Sequence, residues 1–168
     1  MFEQYENYLI SLETRGVRLG LSRTKELLRR CGSPHNRIET IQIIGTNGKG
    51  STSAILSKIL QSRCRVGLFT SPHLSSLRER IRVQGQAIPV KYIGEFIEKY
   101  KNEIDDIGAS FFEVMTVMAA WYFKNQKVDY AIMETGLGGR YDSVTACNSK
   151  IQAFTPISID HTQILGPT

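Results

Sequence analysis

Long apolar runs are missing from this 168-residue chain. The longest, from Val117 to Phe123, falls far short of the roughly 20 residues a helix needs to cross a bilayer. Cysteine is scarce: Cys31, Cys64 and Cys147 are odd in number, far apart and free of CxxC spacing. That excludes a disulfide framework and a structural zinc site built on cysteine pairs. The N-terminus, MFEQYENYLI, lacks the basic-then-apolar order of a signal peptide. No internal repeat, low-complexity tract or Pro/Gly-rich linker divides the sequence, and nothing marks a domain boundary. These absences predict a reduced, cytoplasmic, single-domain protein with no membrane partner.

Hydrophobic residues make up 41% and charged residues 22%, the ordinary balance of a globular domain. The net charge of +5 is spread through short groups such as Arg29–Arg30 and Arg78, Arg80 and Arg82. A nucleic-acid binder concentrates its charge on one stripe with stacking aromatics, so no nucleic-acid partner is expected. Binding of phosphates or carboxylates accounts for a mild excess equally well.

Helical spacing of Phe2, Tyr5, Tyr8, Leu9 and Leu12 predicts a first helix, and Ser22 reads as the N-cap of a second, ending near Gly32. The texture then changes. Ile41 to Ile44 is a short β-rich run that stops at Gly45, and Thr52 to Ser62 carries a helical pattern through Ile55, Leu56, Ile59 and Leu60. Val66 to Phe69 reads as the next strand, completing a βαβ unit with a right-handed crossover. Ser71 to Gln86 is polar and irregular, with a hairpin expected at Arg82 to Ala87. Pro89 suits the first turn of a helix to about Tyr100, and another covers Phe111 to Lys124. Strands follow at Val128–Met133 and Ile151–Pro156. Strands alternating with helices predict an α/β fold with a mostly parallel sheet flanked by helices.

Gly45-Thr46-Asn47-Gly48-Lys49-Gly50-Ser51 sits between the first strand and its helix, where a phosphate loop belongs. Glycines let successive N–H groups turn inward around phosphate oxygens, and the helix N-terminus adds partial positive charge. Lys49 supplies a full charge. The generic pattern GxxxxGK[ST] is not met, because Ile43 stands at its first glycine and Gly50 after the lysine. A tight strand-to-helix turn with a surface lysine is the plainer alternative.

The loop GTNGKGS resembles the nucleotide loop of the Mur ligase superfamily, and the glycine after the lysine resembles its folylpolyglutamate synthase/dihydrofolate synthase branch. Five further segments appear in that family's order: Thr70-Ser71-Pro72-His73-Leu74, Arg78-Glu79-Arg80-Ile81, Phe111-Phe112-Glu113, Glu134 to Arg140, and Asp160-His161 with Leu165-Gly166. The resemblance implies a P-loop-type sheet forming an incomplete Mur-ligase central domain over residues 1–168, with ATP and Mg2+ as cofactors. It implies Ser71, Glu134 and His161 as magnesium ligands, with Lys49, Glu134 and His161 as the catalytic set. Ligand sites in parallel sheets lie at the carboxyl ends of strands, where Glu134 stands. A carboxylate suits magnesium well, a hydroxyl adequately and an imidazole poorly, so from chemistry alone His161 reads equally as a structural histidine.

The resemblance also places Ser110, Phe111, Phe112 and Glu113 at a pterin-bearing substrate, along with Tyr141, Asp142 and Ser143 and, near the N-terminus, Gly16, Val17, Arg18 and Leu19. The residues themselves leave alternatives open: Glu113 as a solvated carboxylate of a helical first turn, Gly16–Leu19 as an ordinary interhelical turn, and Arg78, Arg80 and Arg82 as guides for anionic substrates or, each of them, as part of a solvated face. One departure stands out. The family continues its glycine-rich turn as Asp-Ala-Thr-Asn, and this chain has Asp142-Ser143-Val144-Thr145.

The implied reaction joins L-glutamate to dihydropteroate or a reduced folate at the expense of ATP, through an acyl phosphate, in a monomer. Family members are longer and carry a C-terminal glutamate-binding domain. The expectation is therefore a fragment that binds ligands without ligating them. A non-catalytic nucleotide- or folate-binding module and another Mur-type amide ligase are the rival readings.

Overall fold

The computed structural model describes residues 2–167 and, for Phe2, the backbone alone. The expected contribution of the Phe2 side chain therefore lies outside the described residues, as do Met1 and Thr168. The chain opens with α1 (Phe2–Ser11) and α2 (Ser22–Arg30). Leu9 of α1, Leu12 just after it, and Thr24, Leu27 and Leu28 of α2 are buried. Ser22 is the first residue of α2 rather than its cap; Leu21 holds the cap position and its side chain bonds nothing.

Six strands form one sheet: β1 (Glu39–Ile44), β2 (Val66–Phe69), β3 (Ile81–Val83), β4 (Gln86–Ala87), β5 (Tyr130–Glu134) and β6 (Ile151–Phe154). Their spatial order is β4-β3-β2-β5-β1-β6. The β2, β5, β1 and β6 strands run parallel, with Ile41 opposite both Ile132 and Ile151. The β3 and β4 strands form the expected hairpin and run antiparallel to their neighbours. Its turn places Gln84 and Gly85 at φ of 50° and 78°, the left-handed pair that matches strand twist.

Alternation along the strands sorts the core onto two faces. Phe69, Ala131 and Met133 face a large cluster with α1, α2, α4 (Val90–Ile107) and α5 (Phe111–Asn125). Ile41, Ile43, Leu68 and Ile132 face the other side, beneath α3 (Lys49–Leu60). α5 lies so close to the sheet that a β-carbon at Gly67 would come within 2.7 Å of the Phe123 ring. α4 runs to Ile107, well past the expected end at Tyr100, because Ile97, Tyr100 and Ile104 continue its buried face and Gly108 at φ 66° ends it. α6 (Thr162–Leu165) closes the described chain with a single turn.

The α3 expectation needs two corrections. The helix begins at Lys49, so the last three residues of the glycine loop, Lys49, Gly50 and Ser51, are already helical. Its sheet-facing side is Ser53 and Ser57 with Leu56 and Leu60, while Ile55 and Ile59 are each 62% exposed. Small residues allow the close approach to the sheet, and two of the four apolar positions turn outward. Among the described residues no helix is long and apolar enough to cross a membrane.

Candidate active site

In a parallel sheet every strand ends at the same edge, and the loops that follow must meet there. Gly45 follows β1, Ser71 follows β2, Glu134 ends β5, and the segment from Thr155 to His161 follows β6. Four pieces distant in sequence are thus brought to one rim.

The glycine loop is built tightly against the end of β6. Thr46 N–H and Asn47 N–H donate to the Pro156 carbonyl at 3.0 and 3.3 Å, and Thr46 Oγ1 donates to Ser158 O at 3.0 Å. Those two amides are therefore occupied. The N–H groups of Lys49, Gly50 and Ser51 precede the first intrahelical bond, from Thr52 N to Gly48 O, and form the open end of the α3 dipole. Gly48 holds the cap position at φ 82°. The Lys49 ammonium folds back on the loop, donating to Gly45 O at 2.8 Å and Thr46 O at 3.2 Å.

Glu134 is only 3% exposed, and its Oε2 accepts one hydrogen bond, from Ser71 N–H at 3.2 Å. Burial raises its pKa, opposed by that bond and by the charges of Lys49 and Arg80. Gly50 leaves the carboxylate open to the loop: a β-carbon there would sit 3.6 and 3.7 Å from its two oxygens. His161 is placed differently. It caps α6 at φ 49°, is half exposed, and its Nε2 lies 3.6 Å from Asp160 Oδ2. Ser71 and Glu134 are joined directly, and His161 stands on the wall of the cavity that Ser71 also lines. Among the described residues no three of His, Cys, Asp and Glu form a metal-holding group. A buried carboxylate that accepts a single N–H bond keeps lone pairs with which it could hold a divalent ion.

Two cavities meet at this rim. One, of about 590 Å³, is lined by Ser110, Phe111, Phe112 and Glu113, by the exposed Gly16–Leu19 segment, and by Tyr141, Asp142 and Ser143. The other, of about 510 Å³, runs along Gly45, Thr46, Gly138, Gly139 and Ile157–Asp160. Lys49, Gly136 and His161 border both.

Glu113 is not the solvated carboxylate its position in a first turn allows; it is 2% exposed. Its Oε2 accepts from Ser110 N–H at 2.7 Å, closing the capping box of α5, and from Arg23 Nε at 3.1 Å. Arg23 Nη2 lies 3.0 Å from Oε1 without hydrogen-bond geometry, so the charge is paired and Oε1 remains free to accept. Phe112 packs on Phe69, ring centroids 5.6 Å apart, and against Gly136, where a β-carbon would meet its ring at 2.7 Å.

No family model matches the chain. It is 39% identical over 161 residues to the dihydrofolate synthase/folylpolyglutamate synthase of Bacillus subtilis, covering 91% of this chain and 37% of that protein. Escherichia coli FolC in complex with DHPP and ADP matches with a TM-score of 0.84 and 34% identity, covering 98% of this chain and 41% of that one. The bifunctional folylpolyglutamate synthase/dihydrofolate synthase of Yersinia pestis, complexed with AMPPNP and Mn ion, gives a TM-score of 0.85 at 34% identity over 99% and 41%. By sequence and fold the chain is a homologue of the folylpolyglutamate/dihydrofolate synthases. It spans 21% to 39% of the length of such curated relatives.

Within this synthase-like fold the departure after Asp142 turns inward. Val144 is fully buried, and the Thr145 hydroxyl donates to Gly139 O at 2.5 Å and accepts from Gln42 Nε2 at 2.6 Å. Neither residue lines the cavity; Asp142 and Ser143 do. The substitution thus joins the loop to β1. Arg23 and Glu13 are site neighbours with no signal in the sequence. Of the three arginines read either as guides for anionic substrates or as a solvated face, Arg80 is 8% exposed, so the solvated reading fails there. Arg78 and Arg82 are half-buried and donate to the backbone at Ile88 and Glu79.

Proposed function

We propose that this chain forms the nucleotide and acceptor sites of an ATP-dependent ligase that joins L-glutamate to dihydropteroate or a reduced folate in the cytoplasm. The observation that carries this reading is the shared wall: Lys49, Gly136 and His161 border a glycine-loop cavity on one side and an aromatic cavity on the other. A phosphoryl group held at the loop faces an acceptor carboxylate across that wall. The binding of DHPP and ADP by the E. coli relative supports the assignment of the two cavities.

In this reading the acceptor carboxylate oxygen forms a bond to the γ-phosphorus while the bond to the bridging oxygen of ADP breaks. The glutamate amine then attacks the acyl phosphate, loses a proton and expels inorganic phosphate. Ser71, Glu134 and His161 would hold a magnesium ion, which supplies charge neutralisation for the phosphates. Lys49 leaves its two loop carbonyls and donates to phosphate oxygens, and the open amides of Lys49, Gly50 and Ser51 complete the cradle. Phe111 and Phe112 offer flat apolar surface to a pterin ring.

Calorimetric titration of the chain with ATP and magnesium tests this directly. Lys49→Ala is expected to weaken ATP about 30-fold, the scale of a lost charged hydrogen bond. Unchanged affinity would remove the loop from the site. We further propose that the chain alone does not ligate glutamate, since it corresponds to 37% of the B. subtilis relative. Incubation with ATP, dihydropteroate and labelled glutamate is expected to yield no product, and sustained incorporation would overturn that expectation.

A further inference from the structure

We propose that Arg80 is the anchor for the acceptor's carboxylate, the group that receives the phosphoryl. This rests on the acceptor-cavity reading given above and adds to it the residue that fixes where the carboxylate lies.

Arg80 is a buried cation that lacks an anionic partner among the described residues. It is 8% exposed, and it lines the aromatic cavity but not the glycine-loop cavity. Its Nε–H donates to His73 Nδ1 at 2.9 Å. No hydrogen bond or ion pair joins its two terminal amino groups to any described residue, whereas Arg15, Arg23, Arg29 and Arg30 each hold a carboxylate. The guanidinium lies over the Phe111 ring, 5.0 Å from Cζ to the centroid. The ring and the His73 bond together hold it in place. What remains is the end-on edge, Nη1 and Nη2, which matches the two oxygens of a carboxylate.

Burying an unpaired charge is costly, and the fields of Glu13 and Glu134 and the π face of Phe111 offset that cost only in part. An anion entering the cavity recovers the remainder. A carboxylate fits better than a nucleotide phosphate because Arg80 is on the aromatic side of the shared wall. His73 is the positioning residue: by taking Nε–H it leaves the terminal pair for the ligand.

The test compares pteroate with pteroate methyl ester, which differ only in the charge at the anchored end. The unmodified chain is expected to bind pteroate about tenfold more tightly than the ester. Arg80→Gln is expected to bring the two affinities together while moving the ester by less than about twofold, and Arg80→Lys is expected to restore part of the preference. Should either variant fail to fold, 15N spectra of the unmodified chain decide: the Arg80 guanidinium resonances shift with pteroate and not with the ester. Equal binding of both probes by the unmodified chain overturns the Arg80 assignment and leaves the acceptor cavity standing. Binding of neither probe overturns the cavity reading and this one with it. A variant that keeps the carboxylate preference but loses ATP affinity assigns Arg80 to phosphate instead and also overturns the proposal.

Discussion

Gly45→Ala is expected to destabilise the chain by about 4 kcal/mol, the sum of backbone strain and overpacking at one position. Two independent obstacles stand there. Gly45 has φ 149°, a conformation that side chains rarely adopt, and its β-carbon would fall 2.0 Å from Thr155 Oγ1. The hydroxyl can rotate away, but the Thr155 carbonyl oxygen and carbon lie at 2.9 and 3.1 Å. That backbone is fixed, because Thr155 N–H donates to Ile44 O at 2.8 Å as the last rung between β1 and β6. An alanine must therefore push β6 and the Pro156–Ser158 segment off the loop, taking with it the bonds to Thr46 and Asn47. Denaturant unfolding measures the loss. The double variant Gly45→Ala/Thr155→Ala separates the contributions: it should recover only about 1 kcal/mol, the part owed to the hydroxyl. Full recovery would mean that the backbone contact and the φ constraint are unimportant, and the account of the loop would fail.

The glycine loop shows how far sequence carries and where it stops. Its location after β1 was legible because a β-rich run, a glycine cluster and a helical period follow one another without interruption. The approach of Ser71 to Glu134 has a geometric reason, since parallel strands share their carboxyl edge. What the amides of the loop bond to was not legible. The Pro156 carbonyl that occupies Thr46 and Asn47 comes from a segment more than 100 residues away, and no local pattern encodes it. The same limit hides the Arg23–Glu113 pair. Glu113 reads as an ordinary first-turn acid until an arginine from α2 arrives to pair with it. Periodicity also misorients α3, since a close-packed helix hides serines and exposes isoleucines, reversing the usual weighting. Among Arg78, Arg80 and Arg82, local spacing cannot choose the one that turns inward. The 3-10 turn at Leu77–Arg80 and the antiparallel strand after it make that choice.

Asp142→Ala is expected to cost about 3 kcal/mol and to abolish a pH dependence that the natural chain shows between about pH 4 and 6. Asp142 is 5% exposed, and its carboxylate gathers the glycine-rich turn: Oδ2 accepts from Gly136 N–H and Leu137 N–H, and Oδ1 from Val144 N–H, each at 2.9 Å. Alanine leaves three backbone donors without their acceptor beside a cavity that Gly136 shares with the glycine loop. Burial nevertheless dominates its titration, pushing the pKa from 3.8 up to about 6 against the pull of the three N–H groups and Lys49. The sign follows from proton binding. Between pH 4 and 6 the folded chain holds a proton on Asp142 that the unfolded chain has released, so this contribution is complete below pH 4 and is lost as pH rises through 6. The shift corresponds to about 3 kcal/mol. Glu134 is raised in the same direction, so the natural chain alone does not isolate the effect. The difference in unfolding free energy between the natural chain and Asp142→Asn does, since the amide cannot titrate and the Glu134 contribution cancels. As pH drops from 7 to 4 the natural chain should gain stability relative to Asp142→Asn. A difference that stays flat across this range would show that the three N–H groups, and not burial, govern the carboxylate, and that the turn is held by an ionised Asp142 at every pH where the chain is folded.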